Sequence, residues 1–210
     1  MNPNTIDSII KQLIASHTTI STMESCTSGL IASLITDTEG ASAIFPGGYV
    51  TYLNETKVLV GVDPSVIEIH GVYSPECAEA MARTVQENLH TAIAIGITGT
   101  TGNLDPNNAD SVQGVVYFCI LYKTQAHTFT IHTNITGMTR HEIKQLYAEQ
   151  VFAELEMILT SSLLKECSSV YDHQSPVRLP PLMRPQMPRE LHMVKVILPQ
   201  CLVQYDRHGI

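Results

Sequence analysis

Apolar residues along the first 164 positions recur at two spacings, and the switches between them outline a set of elements. Ile6, Ile9, Ile10 and Leu13 fall three or four residues apart, which predicts an amphipathic helix over residues 5–15. Residues 18–23 are rich in β-branched side chains and read as a short strand. The polar run Glu24-Ser25-Cys26-Thr27-Ser28-Gly29 follows, and a helix is expected over 30–35. A second strand spans 47–53, opened by Gly47-Gly48 and carrying Tyr49, Val50 and Tyr52. Asn54 can cap a short helical turn through Lys57 and Leu59. Pro64 opens and Gly71 closes a helix over 64–70. The clearest helix starts with Ser74 as N-cap and Pro75 in first position, with Ala78, Met81, Ala82 and Val85 on its apolar side.

The continuous small and β-branched run over 91–97 predicts a buried strand, ending in Thr98-Gly99-Thr100-Thr101-Gly102. Strands over 115–121 and 126–132 fit a hairpin. A long helix is expected from 139 to about 164, with Ile143, Leu146, Tyr147, Val151, Phe152, Leu155, Ile158 and Leu159 facing the core. Helices alternate with strands early and a hairpin comes late. That order predicts an α/β fold: a three-layer α/β/α domain with a mixed sheet.

Composition divides the chain. Residues 1–164 hold 6 Lys/Arg against 16 Asp/Glu, whereas 165–210 hold 6 against 4 and 6 of the 11 prolines. We therefore expect a domain over 1–164 and a proline-rich C-terminal extension over 165–210, flexible or used for association. Only 191–198 could form a strand or short amphipathic segment there. The formal charge of -8 argues against a nucleic-acid partner, which would need a basic face. Five scattered cysteines with no Cys-x-x-Cys pair fit free thiols in a reducing compartment. No apolar stretch reaches membrane-spanning length and the N-terminus lacks a leader pattern, so a cytoplasmic protein with no membrane partner is expected.

Three polar segments lie just beyond predicted strand ends, where α/β folds place their sites: 24–29, 52–57 and 98–102. Together they supply hydroxyls, glycine-freed amides and one amine, an inventory suited to acyl transfer. Ser25 stands at a strand-to-helix turn, where a hydroxyl can be exposed beside backbone N–H donors for an oxyanion. Helix capping by Ser25 or Thr27 is the competing role. Lys57 could lose its charge by desolvation and act as a base, or be an ordinary surface lysine. Tyr52 could relay a proton between Ser25 and Lys57, or be core. Thr98, Gly99, Thr101 and Gly102 could cradle a phosphate or ribose, although Gly-Lys-Ser/Thr is absent and this is no P-loop. Arg140 and Lys144 open the last helix, where cations oppose the helix dipole and a bound anion would reverse that cost; a solvated face is the alternative. The nine histidines form no ligand pattern, so no metal site is expected, although Asp105 and Asp110 leave a loosely bound cation open.

Several of these segments match one known pattern. Glu24-Ser25-Cys26-Thr27-Ser28-Gly29 resembles the Glu-Ser-Cys-Thr-Gly-Gly signature of the CinA C-terminal domain family. Gly47-Gly48-Tyr49-Val50-Thr51-Tyr52-Leu53-Asn54-Glu55-Thr56-Lys57 resembles its Gly-Gly-x-Val-x-Tyr-x-Asn-x-x-Lys segment. His70-Gly71-Val72-Tyr73-Ser74, Gly96-Ile97-Thr98-Gly99, Gly114-Val115-Val116-Tyr117 and Arg140 fall in order, over about residues 5–160. The resemblance implies hydrolysis of the carboxamide of nicotinamide mononucleotide to nicotinic acid mononucleotide and ammonia, without metal or cofactor. By the same resemblance Ser25 would be the nucleophile, with Lys57 and Tyr52 activating it. Thr27, Ser42, Asn54, Thr98 and Gly99 would contact substrate, and Arg140 would hold the phosphate. A small-molecule nucleotide is thus the expected partner, with self-association into a homo-oligomer left open. The chain departs from the family in three places. Ser28 replaces a signature glycine, Gly99-Thr100-Thr101-Gly102-Asn103 replaces Gly-Ile-Ala-Gly-Pro, and Lys144 stands where an arginine is expected. Those changes keep open an amidase for another small amide, or a catalytically altered nucleotide-binding or interaction module.

Overall fold

The computed structural model describes residues 3–102, 105, 108 and 111–172, and the side chains of 5–102, 105, 108 and 111–164. The expected extension beyond Asp172, including 191–198, lies outside the described residues, as do Asn103 and Asp110. Helix α1 (Pro3–Ala15) leads into β1 (Ile20–Glu24), α2 (Leu30–Thr36), a 3-10 turn at Ala41–Ala43 and β2 (Gly48–Val50). Then come α3 (Asn54–Leu59), α4 (Pro64–His70), α5 (Pro75–Leu89), β3 (Ile93–Gly99), the hairpin β4 (Val115–Tyr122) and β5 (Gln125–His132), and α6 (Arg140–Asp172).

The five strands form one sheet in the order β2-β1-β3-β4-β5. β1 runs parallel to β2 and β3, while β3–β4 and β4–β5 are antiparallel, so the sheet is mixed. Period-two alternation assigns each strand's side chains to opposite faces. Ile93, Ile95, Ile97, Val116, Phe118 and Ile120 join one buried cluster with α1, α2 and α6. Ala94, Cys119 and Leu121 join the other, against α5 and part of α4. Helices thus cover both faces, the expected three layers. Gly96 explains how closely α5 lies on β3: a Cβ there would fall 2.1 Å from Ala78 O and 2.5 Å from Ala82 N.

Several boundaries differ from the sequence-based expectations, β3 among them, which runs on through Thr98 and Gly99. β2 ends at Val50, because Tyr52 and Leu53 turn away from the edge of the sheet and stand 57% and 61% exposed. α3 is capped by Leu53 without a side-chain bond, not by Asn54. α6 continues past 164 to Asp172. A composition shift is no helix breaker, and the first proline after Leu164 is Pro176. Its start carries a capping box: Glu142 N donates to Thr139 Oγ1 at 3.3 Å, and Thr139 N donates to Glu142 Oε2 at 2.7 Å. That hydrogen bonding holds the Glu142 carboxyl below its usual range.

Candidate active site

Ser25 follows β1 directly, and its N–H still donates to Ile97 O of β3 at 3.1 Å. The chain then turns sharply, with Ser28 at φ 54° and Gly29 at φ 91° in the left-handed region. Ser28 therefore occupies a conformation that glycine adopts more easily. The side chain of Glu24, fully buried, spans the turn. Its Oε2 accepts from Gly29 N at 2.9 Å and Ile31 N at 3.1 Å, and its Oε1 accepts from Ala32 N at 2.8 Å. Glu24 thus satisfies the first-turn donors of α2, and neither Ser25 nor Thr27 caps that helix. Ser28 N donates to Ser25 O and Leu30 N to Thr27 O. The N–H groups of Cys26 and Thr27 hydrogen-bond the Cys26 sulfur.

Lys57 comes from α3, which follows β2 in the chain, and its side chain is fully buried. Its Nζ donates to Thr51 O at 2.8 Å and to Ser25 Oγ at 3.2 Å. Among the described residues no carboxylate forms an ion pair with it. Burial disfavours the ammonium and pulls this amine below the usual lysine value of 10.5; Cys77, Cys26 and Glu55 offset that only in part. The neighbouring thiol of Cys26 behaves oppositely. Burial, reinforced by the Glu24 charge, pushes it up to about 12, so it stays protonated near neutrality. Of two adjacent candidate nucleophiles, the hydroxyl is the one with a base in contact.

Ser25, Cys26 and Lys57 lie in a cavity of about 760 Å³, within the range of small-molecule sites. Tyr52, Asn54, Tyr73, Gly99, Thr101 and Arg140 complete much of its wall. Tyr52 is not placed as the expected relay. Lys57 contacts Ser25 directly, and the Tyr52 hydroxyl at the cavity mouth accepts from Arg140 Nη2 at 3.0 Å. Arg140 has no carboxylate partner among the described residues. Gly102 lies beside it, with Arg140 Nη1 3.5 Å from where a Cβ would stand.

The other expected contacts divide. Gly99 lines the cavity. Asn54 does too, although its Nδ2 donates to Asn108 Oδ1 at 3.2 Å. Asn108 and Tyr73 both donate to Asp105 Oδ2, at 2.6 and 2.8 Å, forming a polar network that sequence reasoning missed. Thr98 donates its hydroxyl proton to Val72 O at 3.0 Å, a tie between β3 and the segment before α5. Thr27 is buried, and its Oγ1 has no partner among the described residues. Ser42 is out of reach. It is exposed on the 3-10 turn, and Ile44, the residue after that turn, accepts from Ile20 N at the opposite end of β1 from Ser25. A resemblance transfers sequence position, and here the chain delivers that position to the wrong end of a strand. No group of His, Cys, Asp and Glu suited to a metal occurs among the described residues.

Known proteins resemble the chain in sequence and in fold. A model of the CinA C-terminal domain matches residues 3–159. A protein of Mycoplasma pneumoniae is 33% identical over 154 residues, covering 72% of this chain and 95% of its own length. A CinA-like protein of Mycobacterium marinum is 41% identical over 117 residues, 55% of this chain but 27% of its own. The chain therefore spans under a third of that longer relative. Among solved structures, a competence-damaged protein (CinA) superfamily member from Escherichia coli superposes with TM-score 0.68 at 25% identity, over 74% of this chain and 88% of that one. Competence damage-inducible protein A from Klebsiella pneumoniae gives 0.69 at 22% identity, over 76% and 98%, a likeness of fold.

Proposed function

This chain belongs to the CinA C-terminal domain family, and on that premise we propose that it is an amidohydrolase converting nicotinamide mononucleotide to nicotinic acid mononucleotide and ammonia. The observation that carries the reading is the 3.2 Å contact between Ser25 Oγ and a fully buried Lys57 whose burial favours the neutral amine. In that form one N–H still serves Thr51 O and the lone pair can accept the Ser25 proton. Ser25 Oγ attacks the carboxamide carbon as Lys57 takes the proton. Lys57 then gives its proton to the departing nitrogen, and ammonia leaves an ester on Ser25. Water, deprotonated by the same amine, attacks the ester carbon, the C–Oγ bond breaks as Lys57 returns the proton to Ser25 Oγ, and the carboxylic acid product departs.

Arg140 supports a nucleotide substrate. A guanidinium with no carboxylate partner among the described residues, held by Tyr52 at the cavity mouth, suits a phosphate. Tyr52 then orients Arg140 instead of moving the Ser25 proton. The α2 N-terminus is a poor alternative for the phosphate, since Glu24 already fills it with a carboxylate.

The test is product analysis. Purified protein incubated with nicotinamide mononucleotide should yield ammonia and nicotinic acid mononucleotide in equal amounts, and Ser25→Ala should yield neither. Failure of the wild type to form the acid would overturn the substrate assignment.

A further inference from the structure

Two chains of hydrogen bonds meet at Glu24. Through its side chain it holds Gly29, Ile31 and Ala32, and so fixes the far end of the turn that presents Ser25. Through its main-chain carbonyl it accepts from Thr51 N at 2.8 Å. Thr51 O in turn accepts from Lys57 Nζ at 2.8 Å, the bond that aims the amine. Ser25 and Lys57 stand 32 residues apart in the chain, yet both are tied to this one residue. We propose that Glu24 is a positioning residue that sets the Ser25–Lys57 register, acting through the turn and through Thr51 without touching substrate. The inference rests on the Ser–Lys reading above.

Ordinary helix capping does not account for the arrangement. A cap needs one short polar side chain at the N-cap, largely in water. Here the N-cap is Gly29 with no side-chain bond, and the donors are taken by a carboxylate buried in the end of a strand, a costly placement unless every bond is made. What that carboxylate adds over a serine cap is a rigid closed path from β1 across the turn to α2. The side chain spans five residues to Gly29 and eight to Ala32. Within that path Ser28 is held in a left-handed conformation that a residue with a Cβ seldom adopts unsupported.

Glu24→Gln tests the idea, because it keeps the shape but turns one acceptor into a donor facing backbone N–H groups. Glu24→Asp is the second variant, should the first fail to fold; it keeps the charge and falls one methylene short. Asp63→Ala is the control, since Asp63 caps α4 by accepting from Ser65 N, away from the cavity. For Glu24→Gln the kcat for ammonia release, per folded molecule, should fall about 10- to 100-fold with KM changed less than about twofold, the pattern of a misplaced reacting group. Asp63→Ala should keep kcat while losing thermal stability. A crystal structure of the Glu24 variant should show Ser25 Oγ and Lys57 Nζ beyond hydrogen-bonding distance with the fold intact. An unchanged kcat at equal folded fraction, or a contact retained within 3.5 Å, overturns the proposal. If the wild type releases no ammonia, the amidase reading falls, and the Ser25–Lys57 separation in the variant decides the positioning role by itself.

Discussion

Lys57 is chemically the most unusual residue in the described structure, a lysine with no exposed surface and no acidic partner among the described residues. Its lowered pKa has a definite sign for stability. Between the folded and the unfolded value, about 10.4, the unfolded chain binds the extra proton, so stability rises with pH across that window. Lys57→Met removes the burial cost while keeping an unbranched stem. It should melt at or above the wild-type temperature near pH 7, in a scanning calorimeter, with no activity. Lys57→Arg should lose about 10²- to 10⁴-fold in kcat, the usual contribution of a general base, because guanidinium stays charged. Activity recovered by arginine but not by alanine would reduce Lys57 to a positioning charge. Ser28 makes a second prediction. With φ at 54°, Ser28→Gly should relieve up to about 1 kcal/mol of strain and raise the denaturant midpoint without altering kcat. A clear destabilisation would show that Ser28 is held by more than its weak 3.5 Å bond to Ser25 O.

Among the elements, β3 and α5 set the tightest tolerance. Gly96→Ala places a methyl 2.1 Å from the Ala78 carbonyl oxygen, so α5 must move off the sheet. The loss should be about 1–3 kcal/mol or more, read by urea unfolding, and a neutral result would mean that this packing is looser than described. Most elements were legible because their signals are local. Ser74 and Pro75 open α5 as expected, with Cys77 N donating to Ser74 Oγ at 3.1 Å. Pro64 and Gly71 bound α4. What could not be read were features that depend on partners distant in sequence. The shortness of β2 follows from its place at the sheet edge, and no residue type near Val50 announces it. The capping box Thr139–Glu142 was local and visible in principle, as a threonine followed three residues later by glutamate before an apolar run.

For the molecule as a whole, the layer order followed from the sequence of periodicities, and a cavity lies beside the polar runs after β1 and β3. Ser25, Lys57 and Gly99, expected beyond strand ends, line one cavity with Arg140 from the start of α6. Ser42 is assigned by motif, which does not specify which end of a strand a turn lies on, and Tyr52 lines the same cavity as Ser25 and Lys57 but its hydroxyl meets Arg140. Thr51, Asp105 and Asn108 act through backbone or loop contacts that no spacing encodes. Glu24 sat in plain view within the signature, but a carboxylate there reads as surface until its three amide partners are known. The central claim is that a buried neutral lysine activates Ser25 for amide hydrolysis. The most direct measurement is ammonia release from nicotinamide mononucleotide by the wild type, Ser25→Ala and Lys57→Arg proteins across a pH series. The account predicts a wild-type kcat that rises with pH to a plateau, with its midpoint below the ordinary lysine value of 10.5, no release above background from Ser25→Ala, and release lowered about 10²- to 10⁴-fold without that rise in Lys57→Arg. Release that is flat with pH, or that survives in Ser25→Ala, would contradict it.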